Sequence, residues 1–197
     1  MIKHTIAYCL LLFMVSLGTS SLHAQRFNAS VVAGMNLSQL DGDDLVGFSK
    51  VGVNAGVKVN TVLTERWQLS LEMLYAQQGS ARNNNDRLSA AVDKIALNFV
   101  EVPLMINFLE WKFHVSAGIS YARLINYTVT DNTGEDVTDL QSYNPNIYSM
   151  IFGATYFFND HLGLNISWSK YLNDLQAEEG ANRLIGRTIA FRMVYAF

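Results

Sequence analysis

Five long polar side chains, Lys58, Glu72, Glu101, His114 and Arg192, fall at mid-segment positions on the polar face of stretches whose other face is apolar. Two carboxylates, two cations and an imidazole in such a setting either neutralise one another or are hydrated one by one. Measured from the nearest short connection, Lys58, Glu72 and Arg192 stand about five residues away and Glu101 about seven, which at ~3.3 Å per residue brings them to similar heights. The pattern predicts an ion-pair cluster of Glu72 and Glu101 with Lys58 and Arg192, His114 lying on the same face. A second pattern is His114-Val115-Ser116. Nucleophilic catalysis by serine needs a histidine base and an acid to orient its ring. Both residues point to the same small, polar face, where an interior hydrogen-bonded pair is the simpler expectation. Asp131 to Asp136 (DNTGED) is rich in oxygen donors but lacks the acidic alternation and distal glutamate of a calcium loop. It reads as an Asn/Asp/Gly turn. No glycine-rich phosphate loop opens a helix. No catalytic residue, metal ligand or cofactor follows from these patterns, and the chain is expected not to be an enzyme.

Composition narrows the classes. The 197 residues are 50% hydrophobic and 16% charged, with a net charge of −3. That leaves no basic footprint for nucleic acid. The single cysteine, Cys9, excludes a disulfide scaffold or a cysteine zinc site. Residues 1–24 read as a cleaved signal peptide. Lys3 and His4 precede an almost wholly apolar run from Ile6 to Leu17, Gly18 to Ser21 break it, and Ala24 offers a cleavage point. The run is too short to span a bilayer as a helix. Residues 25–197 then form one domain.

Within that domain the period is two. Phe27 to Leu37, Val51 to Val59, Trp67 to Tyr75, Ile95 to Phe108, Phe113 to Tyr121, Tyr148 to Tyr156, Leu162 to Trp168 and Ile189 to Phe197 each alternate bulky apolar residues with small or polar ones. Such alternation is the strand signature. Most of these segments reach the ~9–11 residues that a tilted strand needs to cross a bilayer. The connections alternate too. Residues 64–66, 109–111 and 159–161 are tight turns, whereas 38–50, 79–94, 125–146 and 172–183 are long. An even strand number with short turns at one end and long loops at the other predicts an all-β, eight-stranded antiparallel up-and-down transmembrane β-barrel. The bulky face should meet lipid and the small face the lumen, the reverse of a soluble barrel. Aromatic girdles are expected at both interfaces: Trp67, Phe108, Trp111, Phe113, Tyr195 and Phe197 near the turns, and Tyr75, Tyr121, Tyr127, Tyr148, Trp168 and Tyr171 near the loops. Twelve of the 17 acidic residues fall in the long loops, a solvated acidic rim. Arg82 and Arg87, flanking an asparagine run, are the expected protease sites of the 79–94 loop.

Several motifs carry a family resemblance. Ala33-Gly34-Met35-Asn36-Leu37-Ser38 followed by Asp41-Gly42, Phe99-Val100-Glu101-Val102-Pro103-Leu104-Met105, and Val115-Ser116-Ala117-Gly118 resemble the Bacteroidetes-type outer-membrane β-barrel family, the porin-family or PorT-like barrels. The ending Tyr195-Ala196-Phe197 is similar to the C-terminal signal read by the barrel-assembly machinery. The resemblance implies residence in the cell outer membrane among lipid and lipopolysaccharide, with the long loops available to a protein partner. It is nearly silent on biochemistry; the residues themselves predict a structural or surface-interaction protein whose lumen is plugged by the ion-pair cluster. The alternatives are a narrow pore for ions or small solutes, an accessory of a type IX-like secretion machine, and a lipid-modifying enzyme. The last rests on the similarity of His114-x-Ser116 to the pair in outer-membrane lipid A deacylases.

Overall fold

A computed structural model describes residues 27–43, 45, 47–83, 92–177 and 183–197. The expected signal segment and Arg87 lie outside them. Eight strands follow in chain order: β1 (Phe27–Asp41), β2 (Lys50–Val62), β3 (Trp67–Ala81), β4 (Val92–Glu110), β5 (Phe113–Asp131), β6 (Asn146–Phe157), β7 (Leu162–Tyr171) and β8 (Ile185–Ala196). Each pairs antiparallel with the next, and β1 pairs with β8 from Ser30↔Ala196 to Asp41↔Ile185, closing the barrel. Closure satisfies every strand's backbone from within the wall, as hydrocarbon surroundings require.

The turn end is tied by side chains suited to tight turns. Thr64 Oγ1 accepts from the backbone N–H of Trp67 at 3.1 Å, and Asn159 Oδ1 from those of His161 and Leu162 at 2.9 and 2.8 Å. Trp111 occupies the β4–β5 turn in the left-handed region, φ 54°, with the Lys112 ammonium 5.6 Å from its ring centroid. A two-residue hairpin turn demands that backbone shape, which usually falls to Gly or Asn.

Through the central belt the wall is apolar outside and polar inside. Val31, Met35, Val53, Val57, Leu71, Met73, Leu104, Ile106, Ile119, Ile166 and Met193 are exposed, while Ser30, Asn36, Asn54, Ser70, Glu72, Asn107, Ser120, Asn165 and Arg192 are buried. Toward the long loops the relation inverts. Leu40, Ile95, Leu97, Phe99, Val129, Ile147, Tyr171, Leu175 and Leu184 form an enclosed apolar cluster joined by Tyr143 of the β5–β6 loop.

The structure corrects four expectations. Strands β4 and β5 are 19 residues each and continue as a hairpin beyond what a membrane crossing needs. The loops are correspondingly shorter, 132–145 where 125–146 was expected. The β4–β5 register shifts between Asn98↔Asn126 and Phe99↔Leu124, so Ile125 is an extra residue. A bulge of this kind swaps the faces of everything beyond it. Tyr127 therefore turns inward, packing edge-on against Tyr143 at 4.9 Å and donating its hydroxyl to the Gln141 carbonyl at 2.8 Å. Tyr171, an odd-numbered residue on a strand whose odd positions face inward, also leaves the girdle for the interior. Arg82 is no free protease site. Its Nε lies 3.1 Å from Asp93 Oδ1 and its N–H bonds the Asp93 carbonyl, closing the base of the β3–β4 connection.

Tyr171 lies flat over Gly186, where an added Cβ would stand 2.4 Å from its ring. The Tyr171 hydroxyl donates to Gln78 Oε1 at 2.8 Å. Gly186→Ala should therefore push the ring off this seat and destabilise the barrel by about 1–3 kcal/mol, the usual cost of overpacking. Tyr171→Phe, which keeps the ring and loses one hydrogen bond, should cost about 1 kcal/mol. Urea unfolding of both variants, followed by the mobility difference between folded and boiled protein on a detergent gel, measures the order.

Candidate functional site

The register of two neighbouring pairs sets the lumen chemistry. Lys58 on β2 is the direct cross-strand partner of Glu72 on β3, and Asn165 on β7 that of Arg192 on β8. All four side chains point inward. Lys58 Nζ lies 3.4 Å from Glu72 Oε1, and Arg192 Nε and Nη2 donate to Asn165 Oδ1 at 3.0 and 2.8 Å. The two pairs are joined by one bond: Arg192 Nη1 donates to Glu72 Oε2 at 2.7 Å. Two strands separate β3 from β8 around the wall, so this bond crosses the bore. Asn165 Nδ2 donates to Thr155 Oγ1 at 2.9 Å, extending the chain of contacts to β6. Glu72, Glu101 and Arg192 are each 5% exposed or less, so the charges are shut off from bulk water and interact strongly.

The structure thus brings together Lys58, Glu72 and Arg192 of the sequence-derived set. Glu101 stands at the same level with Ser120, Arg192 and Glu72 as its polar surroundings, but forms no ion pair among the described residues. His114 is separate. It lies nearer the turns, its ring 4.7 Å from that of Phe157. Ser116 is buried on the same face, and no hydrogen bond joins the two among the described residues, so the nucleophile–base contact that catalysis needs is not formed. In the 131–136 turn, Asp131 Oδ1 is occupied by Thr133 and by the Glu135 N–H, and Asp136 Oδ1 by Thr138. No cluster of three metal-ligating side chains occurs among the described residues.

Sequence reasoning missed a second crossing. Gln78 Oε1 on β3 accepts from Tyr171 on β7 at 2.8 Å and from Thr188 on β8 at 3.1 Å. Gln78 lies six positions from Glu72 toward the loops. Between the two crossings remains a void of about 20 Å³, the size that holds a single water. Above them sits the apolar cluster. Its Tyr143 phenol is pushed up to about 12 by burial, with Tyr127 and Asp43 adding to the effect, so it stays neutral. Register pairs Asn165 with Arg192, and the Gln78 crossing needs Tyr171 inside the barrel, where the girdle expectation does not put it.

Below the ion pair the bore opens into a vestibule of about 730 Å³ at the turn end. Lys58 forms its floor, and Asn60, Asn107, His114, Thr155 and Phe157 line it. The Oδ1 atoms of Asn60 and Asn107 are buried without a hydrogen-bond partner, which marks the vestibule as a polar, wet space. At its rim the C-terminal strand is locked into the wall. The Phe197 N–H bonds the Ala29 carbonyl at 3.0 Å, and the Tyr195 ring meets Phe197 edge-on at 5.7 Å and the His161 ring at 6.0 Å.

Comparison with solved structures finds the same architecture in small outer-membrane proteins. The attachment invasion locus protein Ail of Yersinia pestis superposes with a TM-score of 0.53 at 13% identity, over 86% of this chain and 98% of that one. Neisserial surface protein A superposes with a TM-score of 0.50 at 11% identity, over 87% and 97%. At such identities the likeness is one of fold. No curated protein matches the chain by sequence. A family model described as outer membrane protein beta-barrel domain matches residues 19–176. The chain belongs to this outer membrane protein β-barrel family, and its place is the outer membrane.

Proposed function

We propose that this protein is a closed, non-enzymatic barrel that presents the loops at 42–49, 82–91, 132–145 and 172–184 at the cell surface, with both ends of the barrel chain on the periplasmic side. The observation that carries this reading is the double closure of the bore, by Arg192–Glu72 and by Gln78 with Tyr171 and Thr188. A lumen sealed at two levels does not pass solutes, so the work falls to the exposed surfaces. The finer reading, a PorT-like barrel, is supported by the Ala33–Ser38, Phe99–Met105 and Val115–Gly118 motifs, whereas service to a type IX-like secretion machine is an alternative that no residue motif here carries. Recovery of secretion components with the protein from native membrane tests it. Tyr195 and Phe197 would serve as the assembly signal, consistent with their place on the closing strand.

Closure is tested by planar-bilayer conductance. Wild type should be silent, and so should Arg192→Ala, because the Gln78 crossing and the apolar cluster still close the bore. The stabilities should follow a defined order. Arg192→Ala leaves Glu72 still facing Lys58, whereas Glu72→Gln strands both Lys58 and Arg192. Each removes one side of a buried pair, a loss of about 3–5 kcal/mol, with Glu72→Gln at the upper end. The double variant should lose less than the sum of the two, since partners in contact are non-additive. Unchanged stability in Arg192→Ala would remove the ion pair from the seal, and a conducting wild type would favour the narrow-pore alternative.

Orientation is tested with introduced cysteines in a chain whose only natural one is Cys9. Leu140→Cys, at an exposed site in the β5–β6 loop, should be labelled by a membrane-impermeant maleimide on intact cells. Lys112→Cys, in the β4–β5 turn, should be labelled only after the outer membrane is opened. The converse pattern overturns the topology.

A further inference from the structure

Lys170 on β7 and Arg187 on β8 are direct cross-strand partners. Buried Gly163, Asn165, Ser167 and Tyr171 define the inner face of β7, and buried Gly186, Thr188, Ala190 and Arg192 that of β8. Lys170 and Arg187 therefore both project outward, toward lipid. Like charges directly opposite one another on a sheet face destabilise it. Part of the repulsion is offset by Asp41, whose Oδ2 lies 2.6 Å from Arg187 Nη2. That one carboxylate leaves the patch with a net positive charge. Lys170 forms no ion pair among the described residues. A like-charged pair with only one counter-charge fits a surface completed by an anion.

The surroundings name the anion's carrier. The outward residues on the membrane side of the pair are Trp168 and Ile189, with Phe152 and Phe191 nearby. Trp168 and Phe152 stack at 6.2 Å between ring centroids. On the loop side Tyr148 is 53% exposed. Aromatic rings of this kind sit at the headgroup level of a bilayer, so the two cations lie where lipid phosphates lie and the apolar strip below them lies where acyl chains lie. An arginine fork with a lysine point charge beside it suits a phosphate group.

We infer that the Lys170–Arg187 pair, with the Trp168–Phe152–Ile189 strip beneath it, is a binding site for a phosphate-bearing glycolipid of the outer leaflet. The inference rests on the topology proposed above, since it is the long-loop end of the barrel that meets this leaflet. The phosphate would lie between the two cations, replacing their mutual repulsion with two attractions, and one acyl chain would run along the strip. Lys94, an exposed outward cation on β4, has Ala96 and Asn98 next along its outer face in place of an aromatic strip and serves as the control position.

The purified full chain, folded in detergent micelles, is heated in steps, and the temperature at which the folded band converts to the unfolded one is read on a gel. The additives are bis-phosphorylated lipid A, dephosphorylated lipid A, phosphatidylglycerol and inorganic phosphate. Bis-phosphorylated lipid A should raise the wild-type midpoint by several degrees, the rise growing with the logarithm of its concentration as expected for a ligand of the folded state. The other three additives should give little or no rise. Lys170→Gln should lose most of the rise, and Lys170→Gln with Arg187→Gln all of it, while Lys94→Gln keeps it. The single Lys170 change is decisive if loss of the Arg187–Asp41 contact impairs folding. An undiminished rise in Lys170→Gln, or an equal rise with dephosphorylated lipid A, phosphatidylglycerol or free phosphate, overturns the site. The folded band reports the barrel whatever the lipid result. Cysteine labelling reads the orientation separately, so failure of the site and failure of the topology are told apart.

Discussion

Glu72 is the group around which the barrel interior is organised. It is a carboxylate, 1% exposed, between two cations, one on the neighbouring strand β2 and one on β8. Taking any of these three charges out of water alone costs several kcal/mol. Each is tolerable only because the other two are in place, and they are in place only if the strands keep their register. A slip of one residue between β2 and β3 would turn either Lys58 or Glu72 toward lipid. The bond to Arg192 extends the constraint across the bore, linking the placement of β3 to that of β8 and thereby supporting the β1–β8 seam.

A second constraint acts along the barrel's height. Where the wall faces hydrocarbon, the outer positions must be apolar and the inner ones are free to be polar. Above the membrane the outside meets water, and the barrel can only be held by an interior apolar core of the soluble kind. The chain changes from one rule to the other near the Ile125 bulge on β5 and near Tyr171 on β7. Leu97, Phe99 and Val129 fill the bore there while Asn98 and Asn126 face out, bonded to each other at 2.5 Å. Tyr171 belongs to both zones. Its ring joins the apolar core, 6.3 Å from Phe99, while its hydroxyl reaches Gln78 in the polar zone below.

The change of rule separates what the sequence reveals from what it hides. Strand number, closure, the lipid-facing positions and the tight turns are legible because in the membrane belt a single alternation decides them. The heights of Lys58, Glu72 and Arg192 could be counted from the turns for the same reason. The position of Tyr127 was not legible, whereas that of Tyr171 follows from the parity of β7 and goes against the girdle expectation. Tyr127 lies past a bulge that parity counting cannot cross without knowing the register. Tyr171 lies where aromatic residues suit both a girdle and a core. Asn165 was visible as a lumen residue, but its role as Arg192's second acceptor depends on strand pairing, which only the folded wall supplies. Glu101 illustrates the remaining gap: height alone put it in the cluster, whereas the direction of its side chain gives it Ser120 as a polar neighbour in place of a direct ion pair.

The two closures divide the molecule into compartments that do not communicate through the bore. The wet vestibule with Lys58 and His114 opens only at the turn end, and the apolar cluster seals the loop end. In the proposed closed barrel a solute would have to part both Arg192 from Glu72 and Tyr171 from Gln78, and both contacts are anchored to neighbouring strands through Asn165 and Thr188. Lumen residues with catalytic potential, His114 and Ser116 among them, therefore face a space that membrane lipid cannot enter from the side through a closed wall. The outward Lys170–Arg187 pair is different. It lies on the surface that lipid does reach, which makes the barrel's exterior, and not its bore, the place where chemical recognition of the membrane is structurally available.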